Sequence, residues 1–394
     1  MTMTEIYFDN SATTRVCREA ADAALKTMTD GYGNPSSTHH LGAMAARELA
    51  SARQTIADCL KAKPEEVYFL SCGTEANNTV ISGAAQLDPK RRRILVSAVE
   101  HPSVQQPAKF LLSKGFDVHF LPVDEQGRVR LDAAAELMDE HTALVSVMQV
   151  NNETGAIQPL REIGALVREK APQAVFHVDG VQAFCRLEAE LKAWQADAYS
   201  MSGHKIHAPK GIGALWLRSG CRIPSLLLGG GQEKGFRSGT EAMPNIMAFA
   251  AAAGLAHSGM NEFASHMRLV KQTLLRELRS RIEGITVNGQ DPDDAAPHII
   301  NLSFSGCRSE VLLHYLEEKG VYVSAGSACD SRSSKGSPIL TAMGLDPELV
   351  DSALRFSFSR FNTEVEAISA AEIIASAVEE VRFFMSKTHS KKRK

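Results

Sequence analysis

Three short stretches place small and polar residues at the ends of apolar runs, where packing alone would not choose them. The first reads Leu70-Ser71-Cys72-Gly73-Thr74-Glu75. A strand running into a helix there points backbone N–H groups outward at the positive end of the helix dipole. Such a turn suits an anion such as phosphate, or serves as a plain helix cap. The second, His177-Val178-Asp179-Gly180-Val181-Gln182, puts a carboxylate at the end of a buried strand, where it needs a partner or a local turn to satisfy it. The third, Ser200-Met201-Ser202-Gly203-His204-Lys205, ends on a lysine beside a histidine and a serine. That lysine is a candidate for Schiff-base chemistry or phosphate binding, or else a surface lysine lying along the molecule with its charge in water. Taken together, an anion cradle, a buried carboxylate and a lysine are the parts needed to hold pyridoxal phosphate. The phosphate would sit at the helix N-terminus, the carboxylate at the pyridine nitrogen, and the lysine would carry the aldehyde carbon.

These groups need a scaffold that brings distant strand ends together. Short β-branched runs at 67–70, 94–97, 117–121, 144–149, 174–178, 198–201 and 213–217 alternate with helical stretches at 75–85, 103–114, 133–139 and 160–169. The alternation predicts an α/β fold with a mostly parallel sheet covered on both faces, whose functional groups gather past the carboxyl ends of its strands. Beyond Glu262 the pattern changes to a long amphipathic helix over 263–282, strands at 285–288, 298–304 and 322–325, and helices at 309–319 and 364–385. We read this part as a smaller α+β domain. The larger domain then spans 14–260, and 1–13 with 261–394 form the smaller one. The stretch SKTHSKKRK at 386–394 ends in four consecutive basic residues and reads as a solvated, frayed tail.

Composition narrows the class of function. Of 394 residues 44% are hydrophobic and 23% charged, enough apolar material for a sizeable core and too much for wholesale disorder. Acidic residues number 46 against 43 basic ones, so no basic field argues for nucleic acid. No apolar run approaches the roughly 20 residues that span a bilayer. The opening MTMTEIYFDN has neither a basic n-region nor an apolar h-region, so no secretory signal is expected. Cysteines at 17, 59, 72, 185, 221, 307 and 329 form an odd set without CxxC or CxxH spacing. Neither a disulfide framework nor a metal site is expected, and a reducing cytoplasm fits best.

Ten motifs, in order, resemble those of the cysteine desulfurases, within the class V aminotransferase group of fold-type I pyridoxal-phosphate enzymes. They are YFDNSATT (7–14), YGNPSSTHHLG (32–42), SCGTEANN (71–78), EHPSV (100–104), NNETG (151–155), HVDGVQ (177–182), SGHKIHAPKGIG (202–213), GGGQEKGFRSGTE (229–241), SAGSAC (324–329) and RFSFSRFNTEVE (355–366). The resemblance implies the fold-type I transferase fold and pyridoxal 5'-phosphate as cofactor. It makes Lys205 the residue that carries the cofactor and Asp179 the partner of its ring nitrogen. Gln182 and Asn152 would bind the ring oxygen, and Gly73, Thr74, Ser202 and His204 the phosphate. His101 would stack on the ring and shuttle protons, a role suited to a flat group that titrates near neutrality. Thr240 would reach the phosphate of the other subunit in a homodimer. Arg355 would clamp the substrate carboxylate with a bidentate guanidinium, and Asn34 would line the substrate mouth.

Cys329 lies in SAGSACDSRSSKGS, a Gly/Ser-rich stretch with charges and no hydrophobic periodicity, unlike the apolar surroundings of inert structural cysteines. The resemblance makes it the sulfur acceptor. Cys72 stands where the family implies glycine or alanine and reads as a small residue filling space. The implied reaction converts L-cysteine to L-alanine and leaves a persulfide on Cys329. The sulfur then passes to an acceptor protein such as an iron–sulfur scaffold. Two other readings stay open: a selenocysteine lyase, which need not use Cys329, and a catalytically silent cofactor-binding subunit. The housekeeping desulfurases dock the scaffold through a C-terminal extension. Here the chain stops soon after the helix expected at 364–385, so acceptor recognition is expected to use surfaces near the Cys329 loop.

Overall fold

The computed structural model describes residues 5–326 and 336–392; Cys329 lies outside the described residues. β1 (Ile6–Tyr7), α1 (Arg18–Thr29) and α2 (His40–Cys59) precede the first strand of the main sheet, β2 (Val67–Leu70). There follow α3 (Gly73–Ala84), β3 (Arg93–Ser97), α4 (Pro102–Ser113), β4 (Asp117–Leu121), α5 (Leu131–Leu137) and β5 (Thr142–Met148). Then come α6 (Leu160–Lys170), β6 (Val175–Asp179), β7 (Ala198–Ser202) and β8 (Gly213–Leu217). α7 (Met243–Ser258) and α8 (Met260–Arg281) lead to β9 (Ile285–Val287), β10 (Ile299–Phe304), α9 (Ser309–Glu318) and β11 (Val321–Tyr322). The chain closes through α10 (Pro338–Ala342), α11 (Pro347–Asp351), β12 (Ala353–Ser357) and α12 (Glu364–Lys392).

The main sheet has seven strands in the order β2-β8-β7-β6-β5-β3-β4. β7, β6, β5, β3 and β4 pair in parallel, and β8 runs antiparallel to both its neighbours. The fold is therefore α/β with a mostly parallel central sheet. Every residue of β5, β6, β7 and β8 is buried, as expected for central strands covered on both faces. The pleat divides their side chains between two apolar clusters. Leu144, Val175, Ala198 and Leu215 join α3 and α4 on one face. Val145, Phe176, Tyr199, Ala214 and Trp216 meet α2, α6 and α7 on the other. Asp179 shares the pleat side of Val175, so it looks toward α3 and α4.

A second, antiparallel sheet has the order β12-β10-β9 and packs on α8, α9 and α12 around its own apolar cluster. Ile6 and Phe8 insert into that cluster, and β1 pairs in parallel with β11. Asp9 bridges to Ser357 of β12. The segment after β1 thus crosses from the small sheet to the rim of the large one, which is how Ser11 and Ala12 come to the site described below. The last helix runs on to Lys392 instead of fraying after 385. SKTHSKK contains neither the glycine nor the proline that would stop it.

Candidate active site

The carboxyl ends of β2, β3, β5, β6 and β7 lie along one edge of the sheet. The chain leaves β3 for β4 on one side and returns to β5 on the other, the reversal that opens a crevice in such sheets. His101 follows β3, and Asn152 follows β5. Past these ends lies a cavity of about 220 Å³, lined among others by Gly73, Thr74, His101, Asn152, Asp179, Gln182, Ser202, His204 and Lys205. Nine expected residues from five separate motifs thus converge on one space.

Each is placed by its element. Gly73 opens α3, and a Cβ there would stand 2.6 Å from Val181 Cγ2, so the turn closes onto the β6 loop only without a side chain. The first turn of α3 then faces the cavity with N–H groups that the helix itself leaves unpaired. Gly180 is needed just as strictly: a Cβ would lie 1.9 Å from Tyr199 Cζ. That contact turns the chain immediately after Asp179. Asp179 Oδ1 accepts from the Val181 N–H at 2.9 Å, and Oδ2 from Asn77 Nδ2 at 2.8 Å. Burial pushes its pKa up, against these donors and the nearby Lys205 charge.

Lys205 ends the short 3-10 turn after β7, and its Nζ donates to the carbonyls of Ser11 and, at 2.9 Å, Ala12. Buried Arg186 braces the same turn by donating to the Lys205 carbonyl and, at 3.4 Å, to Gln182 Oε1. Gln182 Nε2 donates to Ser11 O at 3.0 Å. His204 Nδ1 meets Thr13 Oγ1 at 3.2 Å; burial, then Lys205, pushes its pKa down to about 3. His101 caps α4, with Nδ1 accepting the Ser103 N–H at 3.1 Å, and burial followed by the Lys205 and Arg355 charges pushes its pKa down to about 4. Both imidazoles are neutral at pH 7.

These residues fit pyridoxal phosphate. A buried carboxylate with a raised pKa calls for a cation, which a protonated pyridine nitrogen supplies. A helix N-terminus suits the phosphate. Asn152 Oδ1 is buried with no hydrogen-bond partner among the described residues, as a group reserved for a ligand would be.

Three expected residues stand outside the cavity. Arg355 is 2% exposed on β12, with Nη1 donating to Asn152 O at 2.9 Å and Nη2 to Asp9 Oδ1 at 2.8 Å. It touches the cavity lining at Asn152. Asn34 is exposed and turns back on its own loop, Oδ1 accepting from the Ser36 N–H at 2.9 Å. Thr240 is exposed as well and does not line the cavity of its own chain. Sequence reasoning missed Asn77, Ser103 and the Ser11 and Ala12 carbonyls, although all four lie inside the quoted motifs. The bonds of Asn77 to Asp179 and of Ser11 and Ala12 to Lys205 bridge segments far apart in the chain, which no spacing reveals, whereas Ser103 stands only two residues from His101.

The aminotransferase class-V family matches residues 6–368. The cysteine desulfurase of Trichormus azollae is 39% identical over 380 residues, covering 96% of this chain and 94% of that protein. The cysteine desulfurase NifS of Azotobacter vinelandii is 38% identical over 365 residues, covering 92% and 90%. Among solved structures, a NifS-like protein superposes with a TM-score of 0.90 at 34% identity, covering 95% of this chain and 100% of that one. SspA, solved in complex with cysteine, does so with a TM-score of 0.79 at 31% identity, covering 91% and 100%. Similar from end to end to proteins of one activity, and alike in fold, the chain belongs to the aminotransferase class-V family as an enzyme of its cysteine desulfurase group.

Proposed function

We propose that this enzyme uses pyridoxal phosphate to take the sulfur of L-cysteine, releasing L-alanine and leaving a persulfide on Cys329 for an acceptor protein. The observation that carries the reading is the convergence of Lys205, Asp179 and the α3 N-terminus on one cavity. When bound, pyridoxal phosphate supplies an electron sink that acidifies the Cα proton of an amino acid and weakens the bond from Cβ to sulfur. Lys205 holds the cofactor, Asp179 its ring nitrogen, and Gln182 and Asn152 its ring oxygen. Gly73, Thr74, Ser202 and His204 hold the phosphate, with Thr240 added from a second copy of the chain. His101 covers the ring. Arg355 answers the substrate carboxylate, and Asn34 borders the mouth.

In the sulfur step a Cys329 thiolate attacks the substrate sulfur. An S–S bond forms as the Cβ–S bond breaks, and the released electron pair ends, with a proton, on the carbon that becomes the alanine methyl. The persulfide then passes its outer sulfur to a thiol of an acceptor protein, such as an iron–sulfur scaffold. Residues 14–260 act as the cofactor-bearing domain, and 1–13 with 261–394 as the domain that carries Cys329. The enzyme works as a cytoplasmic homodimer. Borohydride treatment of the purified protein followed by peptide mass mapping tests the core of this. The expected result is a phosphopyridoxyl mass on Lys205. A protein that carries that mass elsewhere, or a Lys205→Ala variant with an unchanged visible absorption band, overturns it.

A further inference from the structure

The hydrogen bonds beneath His101 give work to two side chains that the catalytic reading leaves unused. Asn77 projects from α3 between Asp179 and the start of α4. Its Nδ2 donates to Asp179 Oδ2 at 2.8 Å and to Ser103 Oγ at 2.8 Å. The orientation of the amide follows from charge. Turned over, its carbonyl oxygen would face a carboxylate oxygen at hydrogen-bond distance, with no proton between them. Ser103 Oγ has therefore accepted one hydrogen and has one to give. Its other neighbour is His101 Nδ1, at 2.8 Å. The backbone N–H of Ser103 reaches the same nitrogen at 3.1 Å. Two donors aimed at one ring nitrogen leave no room for a proton on it. The neutral ring must carry its proton on Nε2.

We propose that Ser103 and Asn77 are positioning residues that hold His101 in the Nε2–H tautomer and tie that tautomer to the Asp179 carboxylate. The proposal rests on the reading that His101 works over the cofactor. It deepens that reading by giving the imidazole one direction of action. Burial keeps the ring neutral, its pKa lying near 4. The ring thus offers a hydrogen from Nε2, while its one lone pair is committed to Ser103. Taking the substrate Cα proton then falls to the Lys205 amine. The chain Asp179–Asn77–Ser103–His101 joins the strand end that holds the cofactor's ring nitrogen to the group above the ring, through three hydrogen bonds between α3, α4 and β6.

The test uses the holoenzyme labelled with nitrogen-15 in histidine, with the His101 resonances assigned by comparison with His101→Gln. In the wild type the expected pattern is a protonated Nε2 and a bare Nδ1. Ser103→Ala removes the hydroxyl donor while keeping the helix, and should populate the Nδ1–H tautomer and lower kcat about tenfold with KM little changed. Ser103→Thr restores a hydroxyl and should restore both the pattern and the rate. Asn77→Ala should mix the tautomers more weakly, since the hydroxyl remains but loses its orientation. A proton on Nδ1 in the wild type, or an unmixed Nε2–H pattern in Ser103→Ala, overturns the proposal. Undiminished turnover by His101→Gln would instead overturn the catalytic reading of His101, and the nitrogen shifts would still decide the positioning role by themselves.

Discussion

At the scale of single residues, the site keeps ionisable groups in the protonation state that burial prefers. His177 is wholly buried between Ser146 Oγ at 2.8 Å and Ser200 Oγ at 2.9 Å, and burial pushes its pKa down to about 3. Burial likewise holds His101 and His207 near 4 and His204 near 3, and pushes His298 well down. In the unfolded chain each titrates near 6.5, so between about pH 4 and 6.5 the unfolded state binds more protons and stability rises with pH. Glu100 and Asp179 act in the opposite sense. Burial raises both, so as pH rises through this range the folded chain retains protons that unfolded carboxylates have lost. With five histidines opposing two carboxylates, the urea midpoint at pH 7 should exceed that at pH 5. An equal or higher midpoint at pH 5 would mean that the five histidines do not outweigh the two carboxylates. Cys329 sets a second expectation at this scale. Serine keeps the shape and loses the soft nucleophile, so Cys329→Ser should bind cysteine yet form almost no alanine. Alanine release at the wild-type rate would remove Cys329 from the sulfur step, and normal turnover confined to selenocysteine would point to a lyase.

At the scale of elements, the site depends on strand ends that turn sharply into loops and helices. The turn after β6 is the tightest, because Gly180 leaves space only for a hydrogen against the Tyr199 ring, whose hydroxyl is fixed on Gln149 Oε1 at 2.7 Å. Gly180→Ala should cost about 1–3 kcal/mol or more by overpacking. It should also weaken cofactor binding by displacing Asp179, read by urea unfolding and by titration of the cofactor into the stripped protein. Stability and affinity both at wild-type values would show that the contact yields freely. These turns are also what the sequence makes legible. Gly73, Asp179, Gly180 and Lys205 announce themselves because small, charged and polar residues follow runs such as VYFL and VFHV. The central strands are legible for the same reason, being short and buried on both faces. What periodicity could not find is α7, whose sequence MPNIMAFAAAAGLAHS is apolar almost all round and shows no stripe. It packs against α1 and α2. Asn77 and Ser103 escaped for another reason: each is an ordinary helix residue until the fold sets Asn77 between Asp179 and Ser103.

At the scale of the whole molecule, the residue proposed to complete the phosphate site stands away from the cavity of its own chain. Thr240 is exposed, follows Gly239 with its φ of +117°, and lies apart from the cavity its chain encloses. Its segment is nonetheless held firmly. Arg237 Nε donates to Glu75 Oε1 at 2.8 Å, and Glu75 Oε2 accepts from the Ser71 N–H at 2.7 Å, so the loop is braced on the β2–α3 turn. Leu228, 87% exposed in the stretch just before it, adds apolar surface that water alone would not favour. A two-fold dimer would give Thr240 a site to complete, since in an isologous interface each copy offers the same patch to the other. Complementation tests this directly. In a mixed dimer of Lys205→Ala and Thr240→Ala chains, one site carries both lesions and the other carries neither. Two nearly inactive preparations, unfolded and refolded together in equal amounts, should therefore recover about a quarter of wild-type activity, because half the dimers are mixed and each has one intact site. A threonine acting within its own chain would give the opposite result. Every site would then keep one lesion, and mixing would recover nothing.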